Sequence, residues 1–464
     1  MTHVKAARGT AGYWVTMDSD LLARYGQNVP RYTSYPTAPH FGTAVGARDY
    51  ARWLATLPEN QTLSLYLHIP FCDSLCWFCG CHTKLVRDHA PIDRYLVTLL
   101  REAELVADAL GAQKSVRHLH FGGGSPSLLR PRDIERVSAA LARRFDIRPG
   151  VDFAVEIDPR DVDRDRIAAW AAAGMNRASI GVQDCDPAVQ QAINRIQSFE
   201  CTARAVDWLR EAGIGSVNID LMYGLPYQSI DSVRRTVAEI LPLAPDRVAL
   251  FGYAHVPWMK THQRLIPEAA LPDGAERLAQ FLAAAAALQE AGYLWIGLDH
   301  FARPQDDLAQ ALLRRTLRRN FQGYTTDGAS ALVGLGSSAI GMLPPGYVQN
   351  AVPLRQYDAA VVAGVLPVAR GHRFSPDDRL RRAVIEQLMC YGEVDLGRMA
   401  AEAGTADSFA AERGALGAMA ADGLVELDGA RLSITERGRP LTRTVCAVFD
   451  RYLAAATARH SRAV

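Results

Sequence analysis

From Leu63 onward the sequence alternates short β-rich runs with longer amphipathic stretches, and that alternation constrains the fold more than any other feature. The runs are LSLYLHI, VRHLHFGG, FAVEIDP, RASIGVQ, VNIDLMYG and VALFGYAH. Between them lie IDRYLVTLLREAELVADAL, PRDIERVSAALARRF, DRIAAWAAAG and SVRRTVAEILPLA, which read as helices, with Pro or Asp near several starts and Gly near several ends. A strand that must cross over through a helix returns parallel to its predecessor, so an α/β fold with a parallel sheet is predicted. Six such units close most of a barrel, and functional side chains then collect where strands end and helices begin. Glu156, Gln183, Asp220 and Ala254 all sit near such ends and predict one shared mouth. A further run, YLWIGLDHFARP, and the loop NFQGYTT either complete the wall or cover the opening.

A chain of 464 residues is too long for one core. We expect a lead-in arm and helix over 1–60, a barrel domain over 61–365 and a C-terminal domain over 366–464. In the last of these, DRLRRAVIEQLM and FAAERGALGAMAADG read as helices, and Asp428-Gly429 marks a hairpin turn in a winged-helix-like module. Such modules often bind DNA, but from Gly371 onward there are 13 Arg, no Lys and 13 Asp plus Glu, a balance that makes a poor phosphate binder. Over the whole chain 51 Lys plus Arg meet 50 Asp plus Glu, so no global field draws nucleic acid or an anionic membrane. The first residues contain no apolar run of signal-peptide length, and FLAAAAALQEAG is a buried helix rather than a span. A reducing, cytoplasmic compartment is expected, in which the eight cysteines are thiols or metal ligands.

Four of those cysteines, Cys72, Cys76, Cys79 and Cys81, fall within ten residues directly after a strand. The others, Cys185, Cys201, Cys390 and Cys446, read as small buried apolar residues. The spacing Cys72-x3-Cys76-x2-Cys79 can hold three corners of a four-iron four-sulfur cube and leave one iron open. The competing reading is a zinc knuckle completed by Cys81 or His82, which would want a second Cys or His pair downstream; none follows.

With YLHIPFC before it and Phe78 ahead of the third cysteine, this cluster resembles the radical S-adenosylmethionine signature as it occurs in oxygen-independent coproporphyrinogen III oxidases (dehydrogenases). The resemblance continues through PRYTSYPTAPHF, CGC, GGGSP, EIDPR, SIGVQD, NR, NIDLMYGLP, YAHVPW, DHFARP, NFQGYTT and GLGSSAI. It implies a partial, three-quarter β/α barrel with an N-terminal arm and a mostly helical C-terminal domain. It also implies a 4Fe-4S cluster on Cys72, Cys76 and Cys79, two molecules of S-adenosylmethionine, and a 5′-deoxyadenosyl radical that takes a hydrogen from a substrate propionate. Loss of carbon dioxide and one electron then leaves a vinyl group, and two rounds convert coproporphyrinogen III to protoporphyrinogen IX. An electron donor of flavodoxin or ferredoxin type, an unidentified electron acceptor and a monomeric chain go with it. Haem-chaperone relatives share the three cysteines but usually lack CxC, the PRYTSYP arm and the full C-terminal domain, all present here. A chaperone that cleaves the cofactor poorly, and a zinc-stabilised regulator, are the alternatives.

Carried over position by position, the resemblance assigns Tyr66, Phe78, Gly123, Glu156 and Ile340 to the first cofactor molecule. It assigns Gly124, Ser125, Gln183, Arg195, Asp220 and Ala254 to the second, with Cys81 contacting that molecule rather than iron. Tyr66, His68 and Glu156 are the candidate catalytic groups. Physical reasons stand beside these assignments. Gly122 to Gly124 lack Cβ atoms and would let backbone approach a ligand closely. Glu156 interrupts an apolar strand, where a charge is costly unless a cation or donor meets it. Tyr66 and His68 share one face of their strand. Arg195 could fork onto a carboxylate. Arg31 and Arg303 are expected to meet substrate propionates, Phe321 and Gln322 to line the pocket, and Gln322 to reach the cofactor as well.

Overall fold

In most of the β-rich runs one set of alternate residues is apolar and the other polar, whereas Val248–Phe251 are apolar in succession. The computed structural model describes residues 19–405 and 409–453. The strands are β1 (Leu63–Ile69), β2 (Ser115–Gly123), β3 (Asp146–Ile157), β4 (Arg177–Gln183), β5 (Ser216–Tyr223) and β6 (Arg247–Gly252). They pair in that order and all run parallel. The crossovers are the helices α1 (Ala90–Leu110), α2 (Pro131–Arg144), α3 (Arg164–Ala172), α4 (Phe199–Glu211) and α5 (Ile230–Ile240). Along β1, Leu63, Leu65, Leu67 and Ile69 are at most 1 % exposed and join the core. Ser64, Tyr66 and His68 alternate with them and lie on the opposite face, which is lined by His118, His120, Asp152, Glu156 and Asp220 from the next strands.

Helix ends follow the residues expected of them. Asp163, Ser198, Ser229 and Asp273 accept a backbone N–H from the first turn of the helices they precede. Gly111 closes α1 with φ +71°, a conformation that residues with a Cβ rarely adopt.

After α6 (Gly274–Glu290) the run YLWIGLDHFARP folds as a hairpin of β7 (Leu294–Ile296) and β8 (His300–Ala302) that pairs antiparallel with β6. The loop NFQGYTT contributes Gln322, Tyr324 and Thr325 to the wall of the interior cavity, so it fills the gap rather than capping the mouth. On the far side of β1 lies β9 (Ala331–Leu335), parallel to it, followed by the antiparallel β10 (Ile340–Leu343), β11 (Gly346–Asn350) and β12 (Val368–Arg373). The result is one sheet of 12 strands. A division at 365/366 therefore falls in the wrong place: β12 pairs with β11, and Gly371 bridges to Gly42 of the arm. An edge strand needs partners for its amides and carbonyls, and these residues find them in the barrel sheet.

Beyond Arg373 come the helix Pro376–Tyr391, three further helices, Leu396–Glu402, Ala410–Ala421 and Thr442–Ala447, and a three-stranded antiparallel sheet. Asp428-Gly429 is its hairpin turn, with Gly429 at φ +58°. The arm is pinned between this unit and the barrel. Tyr25 donates to Asp422 (2.6 Å), Tyr32 to Asp450 (3.1 Å), and Thr444 donates to the Tyr25 carbonyl (2.9 Å). Among the described residues no helix is long and apolar enough to cross a membrane.

One buried carboxylate ties α1 to the extended half of the sheet. Glu102 is fully buried and accepts from Gly336 N–H (2.7 Å), Asn350 Nδ2 (2.6 Å) and Tyr357 Oη (2.6 Å). Burial pushes it up to about 7, although those three donors hold it down. The folded state thus keeps a proton that the unfolded chain releases near pH 4.5, so this group favours folding most at low pH and progressively less as pH rises to 7. We expect the stability difference between wild type and Glu102→Gln, read from urea midpoints, to shrink by about 2–3 kcal/mol between pH 4.5 and pH 7.5. A difference that does not change with pH would contradict this.

Candidate functional site

The cysteine loop leaves β1 at its C-terminal end, and its direction is set by the strand beside it. Gly124 N–H donates to the Ile69 carbonyl (2.8 Å) and Ser125 N–H to the Phe71 carbonyl (2.7 Å), so the end of β2 is bonded to the start of the loop. A Cβ on Gly124 would lie 2.5 Å from the Phe71 oxygen, one on Gly123 2.5 Å from the His68 ring, and one on Gly122 2.5 Å from Glu156 Oε1. Gly123 has φ +114°. The three glycines are thus required by the protein's own packing, whatever else they admit.

The other flank of the loop is held through its carbonyls. Asn194 Nδ2 donates to Leu75 (2.8 Å), Gln263 Nε2 to Phe78 (2.9 Å), His262 Nε2 to Cys79 (2.7 Å) and Lys260 Nζ to Cys81 (2.8 Å). Trp77 N–H donates to the Ile193 carbonyl (2.9 Å). Cys76 is buried, and two guanidinium nitrogens lie near its sulfur: Arg160 Nη2 at 3.4 Å and Arg195 Nη1 at 3.5 Å. The Cys81 thiol and backbone amide hold Cys79 below its ordinary value by hydrogen bonding, while burial pushes Cys72 up.

The donor set fits a cube rather than a single ion. One tetrahedral zinc holds its sulfurs roughly 3.8 Å apart, from bonds of about 2.3 Å. Among the described residues the one set of three candidate ligand atoms within 4.8 Å of one another is His89, Asp93 and Asp133, and the cysteines are not in it. Wider spacing suits a four-iron cluster. The His89 set is otherwise engaged: Asp133 caps α2 through Arg130 N–H, and Arg132 lies 3.5 Å from Asp93.

Above the loop, His68 Nε2 donates to the His82 carbonyl (3.1 Å), which leaves Nδ1 to accept from Tyr66 Oη (3.0 Å). Burial lowers His68, keeping the ring neutral. Glu156 accepts from His120 Nε2 (3.2 Å) and Gly123 N–H (3.0 Å). Burial opposes its charge, but those hydrogen bonds and the neighbouring histidines outweigh it and hold Glu156 below its ordinary value. Asp220 is the contrast: burial raises it to about 6 despite hydrogen bonds from Ser179 (2.9 Å) and Asn218 (2.7 Å). Glu156 and Asp220 both line an interior cavity of about 210 Å³.

The structure brings most of the sequence-predicted residues to this one end. Gln183 ends β4 with φ +72°, Ala254 follows β6 with its carbonyl bonded to Gln263 (3.2 Å), and Ile340 opens β10 with its carbonyl against Gly334. Ser125 donates to Asp161 (2.6 Å). Arg31 reaches the Gly252 carbonyl at the end of β6 (2.6 Å), Gln322 lines the cavity, and Phe321 packs edge-on to Phe41 and Tyr347. Arg195, expected at the second cofactor molecule, pairs with Asp158 (2.9 Å) and the Gly181 carbonyl (2.6 Å) at 5 % exposure, while its buried Nε meets no acceptor among the described residues. One expectation needs correcting. Arg303 lies at the other end of the sheet, bonded to the Pro245 carbonyl (3.0 Å) below β6 and stacked near Tyr293, because β8 runs antiparallel and carries it away from the mouth. Cys390 and Cys446 are buried as expected, whereas Cys185 and Cys201 are half-buried.

Asp158, Arg160, Asn194, His262 and Gln263 escaped the sequence reading. The first three lie in motifs already conspicuous, EIDPR and NR, but nothing in their spacing says that they face the cysteines. His262 and Gln263 sit in a polar loop without any local signal.

Comparison with known proteins gives a consistent picture. Residues 66–240 match the radical SAM superfamily, and residues 374–441 match the HemN C-terminal domain. The oxygen-independent coproporphyrinogen III oxidase of Bradyrhizobium diazoefficiens is 51 % identical over 97 % of this chain and 100 % of its own. The enzyme of the same name from Escherichia coli is 40 % identical over 95 % of this chain and 96 % of its own. The solved structure of coproporphyrinogen III oxidase (HemN) from Escherichia coli, described as a radical SAM enzyme, superposes with a TM-score of 0.87 at 39 % identity, covering 92 % of this chain and 100 % of that one. These names favour the oxidase over the haem-chaperone alternative.

After anaerobic reconstitution, Cys72→Ser, Cys76→Ser and Cys79→Ser are each expected to lose most of the iron and acid-labile sulfide, while Cys81→Ser retains both. Gly124→Ala, which drives a Cβ into the Phe71 backbone, should lower cluster content to roughly half or less with a reduced melting temperature, since a backbone atom cannot yield as a flexible side chain can. Full cluster content in Gly124→Ala would refute the role given to that close approach.

Proposed function

The chain belongs to the oxygen-independent coproporphyrinogen III oxidase family of radical SAM enzymes, and from that membership we propose that it converts coproporphyrinogen III to protoporphyrinogen IX in haem biosynthesis. Each of two propionates loses one β-hydrogen, carbon dioxide and one electron and becomes a vinyl group. The single observation that carries the reading is the cysteine loop at the barrel mouth, with Cys76 set between two guanidinium groups and Glu156 kept ionised above it.

Cys72, Cys76 and Cys79 would hold a 4Fe-4S cluster, and Tyr66, Phe78, Gly123, Glu156 and Ile340 would hold the first S-adenosylmethionine. When bound, this pair supplies the one-electron cleavage and hydrogen abstraction that start the reaction. The protein's part is to orient and exclude. Glu156 offers a fixed negative charge to the cationic end of the cofactor. Tyr66 is aimed by His68, which is itself fixed by the His82 carbonyl, so the neutral ring acts as a positioning group and a proton carrier at Nδ1. Gly124, Ser125, Gln183, Asp220, Ala254 and Cys81 would face a second cofactor molecule. Arg195 would face that second molecule as well, held together with Arg160 by Asp158.

The electron balance calls for a small one-electron donor of flavodoxin or ferredoxin type and for an acceptor of the electron released with carbon dioxide. A monomeric, cytoplasmic enzyme fits this chemistry. The arm over 1–60, a barrel ending near Arg373 and the C-terminal unit are its three parts.

The test is an anaerobic assay of the reconstituted protein with reductant, S-adenosylmethionine and coproporphyrinogen III, following 5′-deoxyadenosine and protoporphyrinogen IX together. Both products are expected from wild type, and Glu156→Gln should lower the rate at least about 100-fold, as for removal of a preorganised charge in an active site. Cofactor cleavage without any vinyl product would overturn the assignment.

A further inference from the structure

A groove of about 470 Å³ lies against the cysteine loop, and none of its lining residues belongs to the interior cavity that holds Glu156 and Asp220. One wall is the short strand Lys84–Leu85, which pairs in parallel with Phe71–Cys72, so that Leu85 stands opposite the first cysteine. Lys84 N–H donates to the Pro70 carbonyl (2.7 Å) and Val86 N–H to the Cys72 carbonyl (3.0 Å). The facing wall is formed by residues 259–262, whose Lys260 and His262 side chains hold the Cys81 and Cys79 carbonyls. Residues 352–354 close the third side. Both main walls are thus bonded to the backbone of a cysteine expected to hold iron.

Charge and exposed apolar surface together describe what fits there. Lys84, Lys260, His82 and His262 line the groove, and among the described residues no Asp or Glu does. Lys260 meets a neutral carbonyl, and the exposed Lys84 ammonium meets no carboxylate among the described residues, so neither charge is cancelled. Positive potential in a concave place draws an anionic partner and speeds its arrival. Beside these charges Leu85 is 56 % exposed and Met259 64 %, with Leu265 of the short helix Thr261–Leu265 at 57 %. Adaptable apolar side chains bordered by charge are the make-up of a transient protein interface.

Neither end of the chain supplies an acidic complement: residues 1–18 carry Lys5 and Arg8 against Asp18, and residues 454–464 carry Arg459 and Arg462 and no acid. A second copy docked groove to groove would set like charges together. The tetrapyrrole is anionic too, but its reacting carbon must reach the cofactor residues around Glu156 on the barrel's inner face, and only a partner with a broad face covers Leu85, Met259 and Leu265 at once. We propose that this groove is the docking site of the electron donor, a small acidic one-electron carrier protein whose carboxylates meet Lys84 and Lys260 and whose redox group is brought against the cysteine loop. The inference rests on the radical reaction proposed above and adds the surface through which its electron enters. One electron leaves the reduced carrier and enters the oxidised cluster, and no atom is transferred with it.

Binding and kinetics of the reconstituted holoenzyme test this, with a purified acidic flavodoxin as the probe. Titration calorimetry of wild type is expected to give a Kd that weakens several-fold between about 50 and about 200 mM salt, as the steering charges are screened. Lys84→Glu should weaken binding about ten-fold or more, since it sets like charge against the partner. Met259→Gln should weaken it about three-fold, as for loss of one apolar contact. Both variants should keep the iron content and melting temperature of wild type, and turnover driven by reduced flavodoxin should fall in step with binding. The 5′-deoxyadenosine formed in a single turnover of holoenzyme reduced beforehand with dithionite, and KM for coproporphyrinogen III, should stay within about two-fold. Should the reversed charge cost iron, Lys84→Gln decides in its place, with an expected weakening of about three-fold. An unchanged flavodoxin Kd in the variants would overturn the inference, as would a raised KM for coproporphyrinogen III under dithionite, which would give the groove to the substrate. Wild type that binds flavodoxin through Lys84 yet forms no vinyl product would remove the reaction and keep the docking site. Vinyl formation driven by flavodoxin equally well in wild type and every variant would keep the reaction and remove the docking site.

Discussion

The close approach of the β2 terminus to the strand that feeds the cysteine loop is the constraint on which the rest of the site depends. Three residues without Cβ atoms let Gly122–Gly124 lie against Glu156, the His68 ring and the Phe71 backbone in turn. Backbone hydrogen bonds from Gly124 and Ser125 then fix where Ile69 and Phe71 point. Once that direction is set, the loop carrying Cys72, Cys76 and Cys79 falls within reach of Asn194, His262 and Gln263, which hold its carbonyls from the far side. A loop held from both sides loses little further freedom when it takes up a cluster, which is why such ligands are placed beside a rigid sheet.

The inner face of the sheet carries charge that water cannot solvate freely, and its distribution separates the two ends. Toward the N-terminal ends of the strands, Arg177 pairs with Asp152 (2.8 Å), Arg247 with Asp306 (2.7 Å), and Ser64 with Asp327. Buried pairs of this kind add little net stability but make alternative packings costly. Toward the mouth the two carboxyls differ: burial opposes the charge of Glu156, but His120 and the Gly123 N–H hold it below its ordinary value, while burial pushes Asp220 toward its neutral form. An ionised carboxylate in a partly desolvated place is what a ligand with a cationic sulfonium would require.

The terminal parts of the chain serve that same mouth. The arm runs between the barrel and the C-terminal unit, with Tyr25 and Tyr32 bonded to Asp422 and Asp450. Its balanced charge, the feature that argued against nucleic acid, is consumed largely in such internal pairs, among them Arg381 with Asp377 and Glu412, and Glu393 with Arg315 and Arg431. The C-terminal unit thereby clamps the arm against the barrel.

Local pattern alone determined the alternation of strands and helices, the parallel sheet, the helix caps and the Asp428-Gly429 turn, because each of these depends on residues near one another in the chain. Strand ends were legible for the same reason: Glu156, Gln183, Asp220 and Ala254 lie at or near the ends of patterned runs. Pairing across the chain was decided only by the fold. Arg195 read as a free fork until Asp158 was found 37 residues away against it, and Arg303 read as a mouth residue until β8 proved antiparallel and took it to the opposite end. The hold of Arg319 on the Tyr32 and Arg31 carbonyls is of the same kind. No periodicity relates an arm to a loop 287 residues later, and only the packing of distant segments could bring them together.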